Sequence, residues 1–185
     1  MLISLSPERR TGNSYAVDGW DEKRYCENMA SYVQQGLVYN GFTVHIADPD
    51  KLIVDRAEEA NQMNADLYVC IHSNGSVSHD ARGLECLYYG TIGNDYSYRF
   101  NNCIYRRLLP IITNGRGLKD GNLYIENYRT EMTSAYIEMA FHDNLEDCKI
   151  LLSNIDEIAA AIVQGICDYT GVTYRSFKIN PNTGR

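Results

Sequence analysis

The chain has 185 residues, of which 44% are hydrophobic, and a formal net charge of −7. That length and apolar content suit one folded domain with a sizeable core and exclude a disordered or fibrous chain. The acidic balance argues against nucleic acid or an anionic membrane surface as partner, and no apolar run is long enough for insertion into a bilayer.

In chain order, Leu2–Leu5 is a short apolar strand that stops at Ser6-Pro7. Residues 21–39 read as a helix with Tyr25, Met29, Tyr32 or Val33, and Gly36 on one stripe, ended by Gly41. Phe42–Ile46 is a second strand and Val54–Asn64 a second helix. Ala65–Ile71 is a buried strand, because its apolar run breaks off abruptly at His72-Ser73-Asn74-Gly75 and so delivers His72 into a loop. Gly83–Tyr89 is a strand followed by a Gly-rich turn. Ser97–Ile112 is a helix with Phe100, Ile104, Leu108 and Ile111 in phase. Leu123–Ile125 and Ala135–Ala140 complete six strands, and residues 154–170 form the clearest amphipathic helix. Strands alternating with helices predict a single α/β domain, residues 1–170, with a mostly parallel, six-stranded, twisted sheet covered by helices on both faces.

Residues 171–185 carry Arg175, Lys178 and Arg185 and no acid, which leaves about −10 on the rest of the chain. With the turn-forming run Asn180-Pro181-Asn182-Thr183-Gly184, this segment reads as a C-terminal tail or linker. Six cysteines, at 26, 70, 86, 103, 148 and 167, form no Cys-x-x-Cys pair and read as reduced, partly buried residues. Fifteen tyrosines against four phenylalanines suggest boundary residues, some of them lining a polar groove.

Three side chains stand out chemically. His72 follows a buried strand, and ligands gather at strand carboxyl ends in open α/β sheets, so it is either a metal ligand or a polar loop cap. Glu22 falls on the apolar stripe of the first long helix, one turn before Tyr25 and two before Met29. An acid there either serves the helix macrodipole or is held by a pair or a metal. Glu138 is the single acid inside Ala135–Phe141. It is either a general base for a water near a metal or the partner of Arg116 or Lys119. His45 lies within a strand and reads as structural, and His79 lies in a polar loop. No Gly-rich phosphate loop and no G-x-S-x-G elbow is present.

Several segments together resemble one family, the type 3 N-acetylmuramoyl-L-alanine amidases, zinc enzymes that cut peptidoglycan. Arg56, Ala60-Asn61, Ala65-Asp66-Leu67 and Ile71-His72-Ser73-Asn74 are similar to its R…AN…ADL…IHAN stretch. Gly83–Tyr89 resembles its G-x-E-x-x-Y strand, Arg116–Lys119 its RG-x-K turn, and Asn122–Ile125 the strand after it. Ile137–Asp147 resembles its V-E-x-x-F-x-S-N-x-E-D segment. The resemblance implies that Glu22 and His72 bind Zn2+ and that Glu138 is the catalytic glutamate. It implies peptidoglycan as substrate and the amide between N-acetylmuramic acid and L-alanine as the scissile bond. It also implies work at the bacterial cell wall, and a wall-binding domain appended beyond the tail would suit so acidic a body. Met1-Leu2-Ile3 runs straight into a strand without a secretion signal, which fits release by lysis or a segment of a longer protein.

One departure matters. The family places a histidine after the first strand, where this chain has Ser6-Pro7-Glu8-Arg9-Arg10; the aligned residue is Arg9, which has no lone pair for a metal. His142, four residues after Glu138, is the expected third ligand; Glu8 is the alternative, and weak or lost zinc binding is the remaining one. A rival function follows from that departure: a peptidoglycan-binding module that has lost its metal and its activity.

Overall fold

The computed structural model describes residues 1–91 and 95–183. The chain runs β1 (Leu2–Pro7), α1 (Glu22–Tyr39), β2 (Thr43–Ile46), α2 (Ile53–Gln62), β3 (Leu67–Asn74) and β4 (Leu84–Tyr88). It continues through α3 (Tyr96–Leu108), β5 (Gly115–Asp120), α4 (Ile125–Arg129), β6 (Thr133–Phe141), α5 (Leu145–Ser153) and α6 (Ile155–Thr170). The six strands form one sheet in the order β2-β1-β3-β6-β4-β5. Every pairing is parallel except β4 against β6. The α/β architecture with a mostly parallel six-stranded sheet is as expected.

Side-chain alternation along the strands builds two unlike faces. Ile3 and Leu5 of β1, Leu67, Val69 and Ile71 of β3, and Ala135, Ile137 and Met139 of β6 enter the main core with the apolar stripes of α1, α3 and α6. The alternate residues look the other way. Tyr68, Cys70 and Tyr136 join Ala60 of α2 in a smaller cluster, and Ser6 and Ser134 bond to side chains of α4. That parity matters because it points Glu8, His72 and Glu138 toward the thinner, polar face.

Four local features differ from the sequence reading. His72 is not past the end of β3 but inside it, since the strand runs on to Asn74. Polar residues continue the ladder there because β6 still flanks it, although the β1 pairing stops at Ile71. Leu123–Ile125 is not a strand. Tyr124 N–H donates to Gly121 O at 3.0 Å, α4 begins at Ile125, and Leu123 is 92% exposed. The fifth strand is instead Gly115–Asp120, taken from the sequence as a turn. It is an exposed edge with charged side chains, so it has no apolar alternation to announce it. Finally, α5 was not anticipated, although Asn144 caps it by accepting from Glu146 N–H and Asp147 N–H.

Beyond α6, Tyr174, Phe177 and Ile179 pack against the main core. Phe177 fills the space a side chain at Gly36 would need, and Arg175 N–H donates to Asn40 Oδ1 at 2.7 Å. The end of the proposed tail, Gly184 and Arg185, and part of the turn after Tyr89 (residues 92–94) lie outside the described residues. All six cysteines are free, and five are buried. Among the described residues no single helix is long and apolar enough to cross a membrane.

Candidate metal centre and active site

Neighbouring strands deliver most of the site at their carboxyl ends. Glu8 N–H donates to Ile71 O at 3.0 Å, which carries the β1–β3 ladder one residue further and sets Glu8 beside His72. On the other side, His72 and Glu138 are register partners across β3 and β6. Glu22 arrives from the first turn of α1, where Asp21 caps the helix and Glu22 N–H donates to Asn13 O at 2.9 Å. Glu126, from the start of α4, closes the group from the polar face. All five side chains are buried, yet all line one cavity of about 550 Å3.

Their geometry is specific. His72 Nδ1 is 3.1 Å from Glu8 Oε2 and 3.9 Å from Glu22 Oε1. One donor atom each from Glu8, Glu22 and His72 can be chosen so that all lie within 4.8 Å of one another. Ligands held about 2.0 Å from a tetrahedral zinc lie about 3.3 Å apart, so the site needs only a small contraction to hold one. The carboxylates are already aimed: Glu8 Oε1 accepts from Arg9 and Arg10 N–H, Glu22 Oε2 from Asn13 Nδ2 at 2.7 Å, and Glu22 Oε1, the oxygen facing His72, from Ser73 N–H at 2.8 Å. Tyr136 stacks on the His72 ring, centroids 4.4 Å apart and planes 9° apart.

The electrostatics fit a cation. Among the described residues no lysine or arginine forms an ion pair with Glu8, Glu22, Glu126 or Glu138. Four buried carboxylates around one imidazole are costly without a positive partner. Burial opposes ionisation of Glu8, but hydrogen bonding to His72, the imidazolium charge and two backbone N–H groups outweigh it and hold its pKa at about 2. His72 is also opposed by burial, and the carboxylates of Glu126, Glu8 and Glu138 nevertheless raise it well above the ordinary histidine range. Glu138 lacks such compensation. Burial, aided by the charges of Glu22, Glu85 and Glu8 and only partly countered by His72, lifts it to about 8, and its Oε2 has no hydrogen-bond partner. A buried acid with an orphaned oxygen beside a carboxylate-rich imidazole is consistent with a metal site.

The other expected residues fall differently. His142 lines the same cavity but is outside the Glu8–Glu22–His72 group. Its Nδ1 lies 3.2 Å from Ser73 Oγ and 3.2 Å from Ser73 O, and its ring stacks on Tyr15 at 5.6 Å. Gly75 leaves room for the ring, since a Cβ there would be 3.1 Å away. Arg116 does not pair with Glu138. It binds Glu85 at 2.7 Å and lies over Phe141. His79 is exposed and pairs with Asp143 at 2.8 Å. His45 sits on β2 with Nδ1 3.1 Å from Ser4 Oγ, remote from the cavity. The loop after β1 borders the groove through Arg10 and Asn13. Glu126 escaped the sequence reading. It directly follows Leu123–Ile125, the run expected to be a strand, and no spacing rule links it to His72 54 residues away.

The model of the family described as N-acetylmuramoyl-L-alanine amidase matches residues 8–168. The chain belongs to that family of hydrolases. Over 118 residues it is 32% identical to the uncharacterized protein YqiI and 31% identical to the N-acetylmuramoyl-L-alanine amidase LytC, both of Bacillus subtilis. Each alignment covers 62% of this chain, but 56% of YqiI and 24% of LytC, so the chain spans about half or less of these curated relatives. In fold it is similar to the catalytic domain of CwlV, an N-acetylmuramoyl-L-alanine amidase from Bacillus (Paenibacillus) polymyxa var. colistinus. The TM-score is 0.83 at 22% identity, with 93% of this chain and 99% of that one covered.

Most residues that carry the amidase-family resemblance hold the fold together rather than touch the cavity. Arg56 donates to Ser6 Oγ, Pro7 O and Pro49 O. Asn61 bridges Arg129 O and Glu131 N–H. Asp147 accepts from Gly83 N–H, Phe141 N–H and Arg82 Nε. Gly83 has φ +105°, and a Cβ there would run into Asn114 O, so only glycine fits.

Proposed function

We propose that this chain is an amidase catalytic domain in which Glu8, Glu22 and His72 hold a zinc ion and Glu138 moves the proton that breaks the amide between N-acetylmuramic acid and L-alanine. The observation that carries the reading is the meeting of these four buried side chains, whose carboxylates have no lysine or arginine ion-pair partner among the described residues. Glu8 takes the place of the absent family histidine. A carboxylate there keeps an oxygen or nitrogen donor set while making the site one charge more negative.

Zinc, when bound, supplies Lewis acidity toward the amide carbonyl and makes a nearby water acidic. The rest falls to the chain itself. Glu138 accepts the proton of the attacking water as its oxygen bonds to the carbonyl carbon, then gives that proton to the L-alanine nitrogen as the C–N bond breaks. The groove edge formed by Leu123, Tyr124 and Ile125 offers apolar and aromatic surface beside the reacting centre. The substrate is peptidoglycan and the place of action the cell wall. A separate wall-binding module would offset the poor attraction between an acidic body and a polyanionic wall.

The test is metal content together with product release from purified peptidoglycan. About one zinc per chain and new L-alanine amino termini support the reading. Zinc absent after reconstitution, with the wall still bound but not cut, would establish the rival binding module in its place.

A further inference from the structure

His72 presents two ring nitrogens to two separate sets of carboxylates. Nδ1 faces Glu8 and Glu22. Nε2 faces Glu126 Oε2 at 3.5 Å, within ion-pair range, but no hydrogen bond is formed to it and it is buried. An imidazole cannot serve both edges in the same way: one nitrogen gives its lone pair to a metal, and the other carries the N–H.

Glu126 is built for the second edge. It is 3% exposed, and among the described residues it has no lysine or arginine partner. Its Oε1 accepts from Tyr68 OH at 2.9 Å and from Ser6 Oγ. Ser6 Oγ is in turn held by Arg56 Nη1 at 3.1 Å. Both donors fall on the same oxygen, which leaves Oε2 for His72. Tyr136, stacked on the ring, prevents it from turning away. For packing alone, an uncharged side chain would fill this place at lower cost, because a buried carboxylate without a lysine or arginine partner is expensive.

We propose that Glu126 is a positioning residue that accepts a hydrogen bond from the Nε2–H of His72, so fixing the tautomer in which Nδ1 is the metal-binding nitrogen. The inference rests on the metal-site reading above. Metal-binding histidines almost always donate their second N–H to a carboxylate or carbonyl, and loss of such a partner weakens metal binding by about 10–100-fold. In Glu126→Gln, the amide oxygen satisfies Tyr68 and Ser6, so the NH2 group faces Nε2. That favours a proton on Nδ1, where it competes with the metal.

The experiment is zinc affinity by chelator competition, read beside 15N chemical shifts of the histidine rings in the zinc-loaded protein. The wild type is expected to bind zinc through His72 Nδ1 with Nε2 protonated. Glu126→Gln is expected to bind 10–100-fold more weakly, with Glu126→Asp recovering part of the loss. If Glu126→Gln does not fold, Tyr68→Phe carries the test: it removes one of the groups that aim the carboxylate, and a smaller but measurable loss of affinity is expected. Unchanged affinity in the folded variant, or zinc found on Nε2 in the wild type, overturns the role of Glu126 and leaves the metal site standing. Absence of zinc binding by the wild type instead removes the metal site itself.

Discussion

On one face of the sheet, Ile3, Leu5, Val69, Ile71, Ile137 and Met139 are sealed beneath α1, α3 and α6. On the other, their immediate neighbours Ser6, Tyr68, His72, Tyr136 and Glu138 meet α2 and the five-residue α4. The same strands therefore contribute a dense apolar layer and a polar layer loaded with uncompensated acids. The difference shows where stability comes from and where it is given up. Apolar burial contributes about 25 cal/mol per Å2 on the first face, while on the second the Glu138 carboxylate opposes folding until a cation or proton neutralises it.

The strongest way to break this division is Glu138→Gln. Hydrolysis of peptidoglycan is expected to fall by about 10^2 to 10^4, with zinc content unchanged; activity within tenfold of wild type would remove Glu138 from the chemistry. Phe100→Ala probes the opposite face, where Phe100 is fully buried and packs on Tyr169 at 4.7 Å. Denaturant unfolding is expected to show a loss of about 3–5 kcal/mol, and zinc affinity to stay as it was. A large change in zinc affinity would mean that the two layers are coupled.

Glu22→Ala is expected to weaken zinc binding by at least about 100-fold, more than loss of a supporting partner, measured by chelator competition. Retained affinity would show that Glu8 and His72 suffice.

A pH series on zinc-free protein sharpens the polar side. The Glu138 pKa is raised in the fold from 4.5 to about 8, so the folded state keeps a proton that the unfolded chain releases. Stability should therefore decline as pH rises from about 4.5 to about 8, by a few kcal/mol. His72, raised above 6.5, adds loss of the same sign at higher pH. Glu8, lowered to about 2, acts oppositely: its contribution is present above about 4.5 and lost as pH falls toward 2. Thermal melts should flatten in Glu138→Gln, leaving only the His72 part; an unchanged slope would show that Glu138 is ionised throughout. The smallest effect is expected from Arg116→Ala, whose ion pair with Glu85 is partly exposed. Stability should drop by no more than about 1 kcal/mol, and a larger loss would make that edge part of the core.

Apolar periodicity was enough to reveal α1, α6, β3 and the overall alternation, because burying a stripe of side chains is a local pattern with a long-range purpose. It misplaced the fifth strand because an exposed edge such as Gly115–Asp120 buries too little to leave a pattern. Glu22 and Glu138 were legible as acids in apolar company, and His72 as the break in an apolar run. The partners of His72 were not. Glu8 lies 64 residues away and Glu126 lies 54 away, and neither interrupts a hydrophobic pattern. The sequence by itself determined which residues must be buried and which buried ones are chemically out of place. Only the pairing of β1, β3 and β6, with α4 laid across their polar face, decided that Glu8 rather than His142 stands beside the imidazole. The physical reason is that strand register and crossover geometry are set by the packing of the whole sheet, and no short stretch of chain carries that information.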